Sequence, residues 1–217
     1  MQKLIICFLM IIYGSVSFAQ KNLIFSDDFE DYENDWQEIK NKEFVVKQNQ
    51  GKLFFSKANN NRIVNGCLWY KKTIPNFNTG QNFTIEFEAK GLSSEFKDYL
   101  FDIQWGRLQE FDGVRKTAIY QLDFNTNRVR LSRLNKPKNW EYFRWSNELI
   151  DKSFSEFSLE YNILNKYEII QQDGTLMVEI NGKQVGKWIV EPLDGSEIGF
   201  QNCLKGEWEL ENIIIKQ

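Results

Sequence analysis

The sequence predicts an all-β protein built as a two-sheet antiparallel sandwich. Polar and apolar residues alternate with a period of two through most of the chain. Asp-Gly and Asn-Gly pairs, which are typical of tight hairpin turns, separate several of the alternating runs. A weak helical pattern is confined to residues 147–154. Many short strands about ten residues apart, with few helical stretches, are typical of antiparallel sandwiches.

The first segment, residues 1–19, has the layout of a secretory signal peptide. Lys3 supplies the positive start, and the apolar run Leu4–Tyr13 is too short to span a bilayer, which takes about 20 residues. Ser17 and Ala19 are the small residues expected before a cleavage point. We therefore expect cleavage after Ala19, and a secreted or periplasmic protein without a membrane span.

Residues 20–217 then form a chain of a length that suits a single β-sandwich domain. Without Lys3, 26 basic residues stand against 30 acidic ones. This acidic balance argues against nucleic acid, which needs a basic face. The chain has no histidine, which excludes Ser-His-Asp and Cys-His catalysis and removes the commonest transition-metal ligand. The composition implies no particular oligomeric state.

The alternation assigns residues to faces in the first long strands. In residues 83–90, Phe83, Ile85 and Phe87 share one face, while Glu86 and Glu88 share the other. Residues 99–105 and 118–124 continue the pattern, and it places Trp105 and Tyr120 with the core. A hairpin turn at 125–127 leads into residues 128–134.

The second half of the chain repeats this organisation. The turns Asp173-Gly174 and Asn181-Gly182 predict two consecutive hairpins, because both residues of each pair tolerate positive φ. The alternating segments are FSLEYNIL at 157–164, YEIIQQ at 167–172, LMVEI at 176–180, QVGKWIV at 184–190, EIGFQN at 197–202 and ELENIIIK at 209–216.

Aromatic and basic residues are the candidates for a ligand surface. The chain has 7 Trp, 8 Tyr and 18 Phe, but aromatic residues also dominate sandwich cores, so their positions matter more than their number. Arg128, Arg130 and Ser132 share one face of their strand, and unpartnered charge is rarely buried. That face is therefore exposed or lines a groove.

The stretch NWEYFRW at 139–145 has two alternating faces. Trp140, Tyr142 and Arg144 share one side and resemble a sugar subsite, with two rings and a fork of hydrogen-bond donors. The alternative is that Phe143 and Trp145 are core, and that Trp140 and Tyr142 cover a sheet edge or stack on arginine.

Two cysteines, Cys67 and Cys203, remain in the exported chain. In an oxidising compartment such a pair can form a disulfide. The alternative is two separate buried thiols, because sequence alone does not give the distance between them.

Both ends of the chain carry a recognisable order of motifs. The first part reads LIFSDDFED at 23–31 and GKLFFS at 51–56. The last part reads NKYEIIQQDGTLMVEINGKQVGKW at 165–188, GSEIGFQN at 195–202 and WELENIIIK at 208–216. This order resembles the concanavalin A-like lectin/glucanase superfamily, and within it the secreted LamG-like and family-16-glycoside-hydrolase-related jelly rolls of bacteria. The resemblance covers residues 23–217.

The resemblance implies a jelly roll of two stacked antiparallel sheets, one of them concave, with the first and last strands side by side. It also implies glycan binding in the concave groove. The glucanase branch uses a strand motif of type E-x-D-x-x-E, which this sequence lacks. The nearest candidates for catalysis are Glu86 and Glu88 on one strand face, with Asp102 on a neighbouring strand; the alternative is a solvated strand face.

Members of the superfamily often hold a structural calcium near the paired termini. The resemblance therefore makes the acidic residues at the two ends of the chain candidate ligands, since calcium prefers carboxylate and carbonyl oxygens. These residues are Asp27, Asp28, Glu30, Glu209 and Glu211. The alternative is solvated surface acids, and Glu211 stands where the family has aspartate. No other cofactor is expected.

Three functions are open at this point. The first is a secreted, non-catalytic, lectin-like module that binds glycan on its concave face. The second is a glycoside hydrolase or related sugar-active enzyme with an atypical carboxylate pair. The third is a structural or adhesive envelope protein that binds protein. Glycan binding without product release would distinguish the first function from the other two.

Overall fold

In the computed structural model we describe residues 22–58, 68–96, 98–111, 114–135, 148–152, 158–202 and 204–217. Across these residues the secondary structure consists of β-strands, with no helix. The strands are β1 Leu23–Asp27, β2 Ile39–Lys40, β3 Phe44–Gln48, β4 Leu53–Lys57, β5 Leu68–Thr73, β6 Phe83–Ser94, β7 Tyr99–Phe111, β8 Val114–Asn125, β9 Val129–Asn135, β10 Glu148–Lys152, β11 Asn165–Gln172, β12 Thr175–Ile180, β13 Lys183–Ile189, β14 Glu197–Asn202 and β15 Gly206–Lys216.

The strands form two antiparallel sheets. The nine-stranded sheet has the order β13-β12-β11-β6-β15-β4-β3-β2, and β1 also pairs with β15. The six-stranded sheet has the order β10-β9-β8-β7-β14-β5. The pairing of β1 with β15, from Leu23 opposite Lys216 to Asp27 opposite Ile213, joins the first and last strands. The predicted two-sheet antiparallel sandwich and its side-by-side terminal strands are confirmed.

The predicted hairpins are also present. Asp173 and Gly174 connect β11 to β12, and Asn181 and Gly182 connect β12 to β13. Their φ values are 50°, 74°, 52° and 75°, the left-handed conformation that the sequence of each turn favours. Between β8 and β9 the chain turns at 125–128, where the amide of Asn125 donates to the carbonyl of Arg128. Short turns of this kind fix the register of the strands that they join.

Aromatic rings from the two sheets meet in the core. Phe87 of β6 contacts Phe101 of β7 and Phe124 of β8, with ring centroids 6.0 and 6.3 Å apart. Trp208 of β15 stacks on Phe55 of β4 at 4.0 Å and on Phe101 at 5.1 Å. These contacts place the core between the inward faces of the two sheets and leave each sheet with an outer face turned away from the other.

The faces predicted for the first long strands are correct. Trp105 and Tyr120 are both buried and belong to the core, as their alternation indicates. Phe83 and Ile85 are fully buried in the same core, while Glu86 lies on the outer face of the nine-stranded sheet and is half-buried.

Two local predictions are wrong. The weak helical pattern at 147–154 contains strand β10, which pairs with β9 from Glu148 opposite Arg133 to Lys152 opposite Val129. The free backbone donors and acceptors along an unpaired strand edge outweigh a weak helical preference. The described part of the alternating segment 157–164 is a loop, in which the amide of Leu159 donates to the carbonyl of Thr126 at 2.6 Å.

The described residues contain no helix that is long and apolar enough to cross a membrane. Residues 1–19, for which a signal peptide is predicted, lie outside the described ranges.

Cys67 and Cys203, for which a disulfide and two separate thiols are both open, also lie outside the described residues.

A disulfide between Cys67 and Cys203 stays a prediction for the oxidised protein. The measurement is peptide mass spectrometry of the exported chain after alkylation without reduction, and a linked peptide pair is the expected product. Replacing Cys203 with serine should then lower the free energy of unfolding by about 2–4 kcal/mol. Complete alkylation of both cysteines in unreduced protein would contradict the bridge.

Candidate functional site

The outer face of the six-stranded sheet carries a group of buried polar side chains. Ile103 and Trp105 of β7 belong to the core, so alternation puts Asp102 and Gln104 on the opposite, outer face. Both are nonetheless buried, with exposed fractions of 4% and 1%. We define the outer-face cluster by its residues, which are Asp102, Gln104, Gln121, Asp123, Arg130 and Gln201. Buried polar groups of this kind need partners, and the cluster largely supplies its own.

Strand register brings these residues together from four strands. Asp102 of β7 is opposite Asp123 of β8 on one side and opposite Gln201 of β14 on the other. Asp123 is in turn opposite Arg130 of β9. Gln104 is opposite Gln121 in the adjacent row. The cluster therefore depends on the order β9-β8-β7-β14, which brings together residues that are up to 99 positions apart in the chain.

The glutamines link the two rows. Gln104 Nε2 donates to two side-chain oxygens, Gln121 Oε1 at 2.7 Å and Gln201 Oε1 at 3.4 Å. Gln121 Nε2 donates to Asp102 Oδ2 at 3.4 Å and also to Asp123 Oδ1. The amides thereby orient both carboxylates, and a side chain held in this way loses little freedom when a ligand binds.

Arg130 supplies the positive charge of the cluster. Its Nε atom donates to Asp123 Oδ2 at 2.5 Å, and its Nη2 atom contacts the same oxygen. The Arg130 side chain is 38% exposed, whereas that of Asp123 is 4% exposed. The Asp123 end of this ion pair is therefore buried, and the Arg130 end is in contact with solvent.

Asp102 is the most perturbed acid of the cluster. Burial raises the pKa of Asp102 well above its usual range, and the adjacent Asp123 carboxylate raises it further. Tyr99 and Arg130 act in the opposite direction, with smaller effects. Burial and the charge on Asp102 also raise the pKa of the Tyr99 hydroxyl. The buried Asp102 carboxyl group therefore keeps its proton to a higher pH than an ordinary aspartate does.

One atom of the cluster lacks a partner. Asp102 Oδ1 is buried and, within the part of the chain that the structure describes, has no hydrogen-bond partner. The other carboxylate oxygen of Asp102 accepts the hydrogen bond from Gln121. Among the described residues, Asp102 Oδ1 is thus the one buried side-chain oxygen of the cluster without a hydrogen bond.

The structure places the predicted ligand residues as follows. Arg130 belongs to the outer-face cluster. Arg128 directly precedes β9 and is half-buried. Trp140, Tyr142 and Arg144 lie outside the described residues. The prediction that Arg130 lies on a polar face with Ser132 agrees with the register, in which Ser132 is opposite Gln121.

The three carboxylates considered for catalysis do not come together. Glu86 and Glu88 lie on β6, whose neighbours are β11 and β15 in the nine-stranded sheet, so the expected strand adjacency with Asp102 is wrong. They are on the outer face of one sheet, and Asp102 is on the outer face of the other. Burial alone would raise the pKa of Glu86, but ion pairs with Lys216 and Lys166 outweigh it and lower that pKa.

The acids considered for calcium have other partners or no common site. Glu209 and Glu211 on β15 both contact Lys52 and Lys90, at distances from 2.9 to 3.3 Å. Asp28 and Glu30 are exposed in the segment after β1.

Asp27 is buried and accepts hydrogen bonds from the Phe29 amide at 2.7 Å and the Trp36 indole at 2.5 Å. No three acidic or cysteine residues in the described ranges group as a metal site. Calcium at the acids of the two ends of the chain therefore stays a prediction.

Sequence reasoning missed most of the cluster. It singled out Asp102 and Arg130, but not Asp123, Gln104, Gln121 or Gln201. The available signal was that polar residues occupy every second position in FDIQW and QLDF, opposite to core residues. That pattern shows a polar face on each strand without showing which strands are neighbours.

The strand order and two-sheet packing define the class: the chain has the concanavalin A-like jelly-roll fold, as the motifs at its two ends predict. No protein-family model matches the sequence, and no curated protein matches it. The similarity to known proteins is therefore one of structure.

Three solved structures illustrate this similarity. A GlcNAcα1-4Gal releasing endo-β-galactosidase from Clostridium perfringens has a TM-score of 0.61 at 12% identity, over 92% of this chain and 63% of that one. The catalytic domain of an endo-1,3-β-glucanase (laminarinase) from Thermotoga petrophila has a TM-score of 0.57 at 10% identity, over 91% and 98%. A Bacillus licheniformis β-glucanase has a TM-score of 0.54 at 11% identity, over 90% and 98%. At identities this low, structural similarity shows a common fold and nothing further.

Proposed function

We propose that this protein is a secreted, non-catalytic, lectin-like module that binds glycan on the outer face of its six-stranded sheet. The observation that carries the proposal is the outer-face cluster, in which a carboxyl pair, three amides and a guanidinium converge from four neighbouring strands. Sugar hydroxyls both donate and accept hydrogen bonds. Carboxylates, amides and arginine are the side chains that offer matching acceptors and donors.

The fold supports the same proposal. Several solved structures that share it carry names of proteins that act on galactosides or glucans. A fold hosts many functions, so this similarity adds weight only together with a suitable site.

The placement of the carboxyl groups considered for catalysis on two different sheets supports binding over hydrolysis. Glycoside hydrolases generally need two carboxyl groups about 5–5.5 Å apart for retention, or about 6.5–9.5 Å apart for inversion. Asp102 and Asp123 are directly opposed on β7 and β8, and both accept hydrogen bonds from Gln121 Nε2. Glu86 and Glu88, the other carboxyl groups considered, lie on the opposite sheet.

A second candidate is a sugar-active enzyme with an atypical acid. The observation that favours it is the raised pKa of Asp102, because a carboxyl group that stays protonated near neutral pH can act as a general acid. In this candidate the second carboxyl group would have to come from outside the Asp102–Asp123 pair.

The test is glycan binding by wild type and two matched arginine variants. Arg130→Ala removes the guanidinium at the exposed margin of the cluster, and we expect it to weaken glycan binding about tenfold or more. Arg133→Ala is the control, since Arg133 is on the same strand but forms its ion pair at 2.7 Å with Glu191, outside the cluster. We expect this control to bind like wild type.

Microarray binding followed by calorimetry measures these affinities, and a reducing-sugar assay on the glycans that bind tests for cleavage. Binding without product supports the module. Product release that Asp102→Asn abolishes would establish the enzyme instead. If no glycan binds, the proposal fails and the structural or adhesive role is favoured.

A further inference from the structure

The turn between β12 and β13 contains a pair of residues with chemistry of its own. Asn181 and Gly182 are both exposed to solvent, and a side-chain carbon on Gly182 would meet no atom within 4 Å. Because glycine adds no steric barrier, its backbone nitrogen can attack the side-chain carbonyl carbon of the preceding asparagine. A new C–N bond forms, Nδ2 leaves as ammonia with the proton of the backbone nitrogen, and water then opens the cyclic imide. The product is aspartate or isoaspartate, and water is the only co-reactant.

The backbone of the folded turn opposes this ring closure. Asn181 and Gly182 have φ values of 52° and 75°, both in the left-handed region. Residues in this conformation have a ψ of about +47°, which turns the nitrogen of the next residue away from the Cβ atom. The five-membered imide ring requires these two atoms to lie on the same side of the Cα–C bond. Asn181 must therefore leave the conformation that closes the hairpin before the reaction starts.

Hydrogen bonds hold the side chain of Asn181 as well. Its Oδ1 accepts from the Lys166 amide at 2.9 Å, and its Nδ2, the atom that must leave, donates to Asn165 Oδ1 at 2.9 Å. Asn165 is 6% exposed, and its own Nδ2 donates to the carbonyl of Ile163 at 2.9 Å, which fixes its orientation. The backbone amide of Asn181 also donates to the Lys166 carbonyl at 2.8 Å. Ring closure therefore requires the loss of both side-chain hydrogen bonds of Asn181.

We propose that Asn181 is a site of spontaneous deamidation, and that the folded turn and the Asn165 side chain suppress the reaction. Modification then proceeds from the fraction of molecules in which the turn is open. Asn165 is a positioning residue, because it holds the carboxamide and takes no part in the bond changes. The inference is independent of glycan binding, since this turn belongs to the nine-stranded sheet and the outer-face cluster to the six-stranded one.

The modification changes the strand that follows the turn. Isoaspartate lengthens the backbone of the turn by one carbon atom, and the turn of a hairpin fixes the register of its strands. Val185 and Trp188 of β13 are buried, with exposed fractions of 1% and 3%, so a change of register removes them from the core. We expect the isoaspartate form, purified by ion exchange, to unfold at a lower urea concentration than the unmodified protein. Equal unfolding midpoints would overturn this consequence.

Peptide mass spectrometry at intervals during incubation at pH 8 measures the reaction, because deamidation raises the mass of the peptide that contains Asn181. We expect the folded wild-type protein to react about tenfold or more slowly than the same chain unfolded in urea, since closure of the ring costs two hydrogen bonds. Equal rates in the two states would overturn the proposed protection. An unfolded chain that does not react at Asn181 would overturn the site itself.

Variants of Asn165 test its role in the folded protein. Asn165→Ala removes the acceptor for Nδ2, and we expect deamidation to become about threefold or more faster. Asn165→Asp keeps an acceptor oxygen, so we expect a rate within about twofold of wild type. Asn82→Ala is the matched control, since Asn82 makes two hydrogen bonds with Asp173 at the neighbouring hairpin turn, and we expect no change at Asn181.

The wild-type rate in Asn165→Ala, together with a native near-ultraviolet circular dichroism spectrum, would overturn the role of Asn165. The comparison of folded and unfolded wild type tests the protection without relying on the folding of any variant.

Discussion

Replacing Trp208 with alanine is expected to lower the free energy of unfolding by about 3–5 kcal/mol, the range for large aromatic residues removed from cores. Trp208 is 1% exposed and stacks on Phe55 with ring centroids 4.0 Å apart. It also contacts Phe101 and Phe200, which belong to the other sheet. One deletion would therefore leave a cavity between the sheets and remove contacts on both sides of the core.

Urea unfolding followed by far-ultraviolet circular dichroism measures this loss. Trp208→Phe is a graded comparison that keeps a ring in the core. Trp208 Nε1 has no hydrogen-bond partner within the described residues, so the phenylalanine variant loses no such bond. Ile189→Ala is the control, because Ile189 is 79% exposed and should change stability by less than about 0.5 kcal/mol. A loss below about 1 kcal/mol in Trp208→Ala would contradict the role of this ring.

Asp102→Asn is expected to stabilise the protein at pH 8 by about 1–3 kcal/mol relative to wild type, and to have little effect at pH 4. The pKa of Asp102 is raised in the folded protein by burial and by Asp123. Above the ordinary pKa of aspartate, the folded protein therefore holds a proton that the unfolded chain has released. Stability falls as the pH rises through this window, and the asparagine variant lacks that titration.

The control for this prediction is Asp123→Asn. Asp123 is the carboxylate partner of Arg130, and its replacement weakens that ion pair. We expect a loss of about 1–2 kcal/mol that varies less with pH, a modest value because the Arg130 side chain is 38% exposed and solvent screens the pair. Urea unfolding at pH 4, 6 and 8 measures all three proteins. Parallel stability curves for wild type and Asp102→Asn would contradict the raised pKa.

Local chemistry made much of the fold predictable. Asp173-Gly174 and Asn181-Gly182 predict their hairpins because few residues adopt positive φ at low cost. Strict alternation assigned Phe83, Ile85 and Trp105 to the core, since a period of two sends every second side chain to one face. These properties belong to a few neighbouring residues, and no distant contact is needed to reveal them.

The same alternation misled where a competing contact was stronger. The helical pattern at 147–154 contains a strand, because the edge of β9 offers a ladder of hydrogen bonds to β10. The segment 157–164 alternates, yet its described part is a loop whose amides bond to residues far away in the chain. A local pattern does not contain the energy of such distant contacts.

The sequence predicted some residues of the candidate site and missed the contacts between them. The sequence singled out Asp102 and Arg130 because charged side chains on the strands of a sandwich are rarely buried without a partner. The sequence did not reveal that Asp123 connects them, because that connection depends on β8 lying between β7 and β9. The pairing of Asp102 with Glu86 and Glu88 was plausible from composition and is excluded by sheet membership.

The chain's residues alone establish an antiparallel sandwich, the positions of its tight turns and the polar or apolar character of each strand face, because each follows from backbone sterics and side-chain periodicity over a few residues. Only the assembled sheets establish which polar faces become neighbours. Gln201 is 99 positions from Asp102, and the order of β14 beside β7 brings the two together. Burial among these neighbours then raises the pKa of Asp102, because the pKa of a carboxyl group depends on the dielectric and the charges around it.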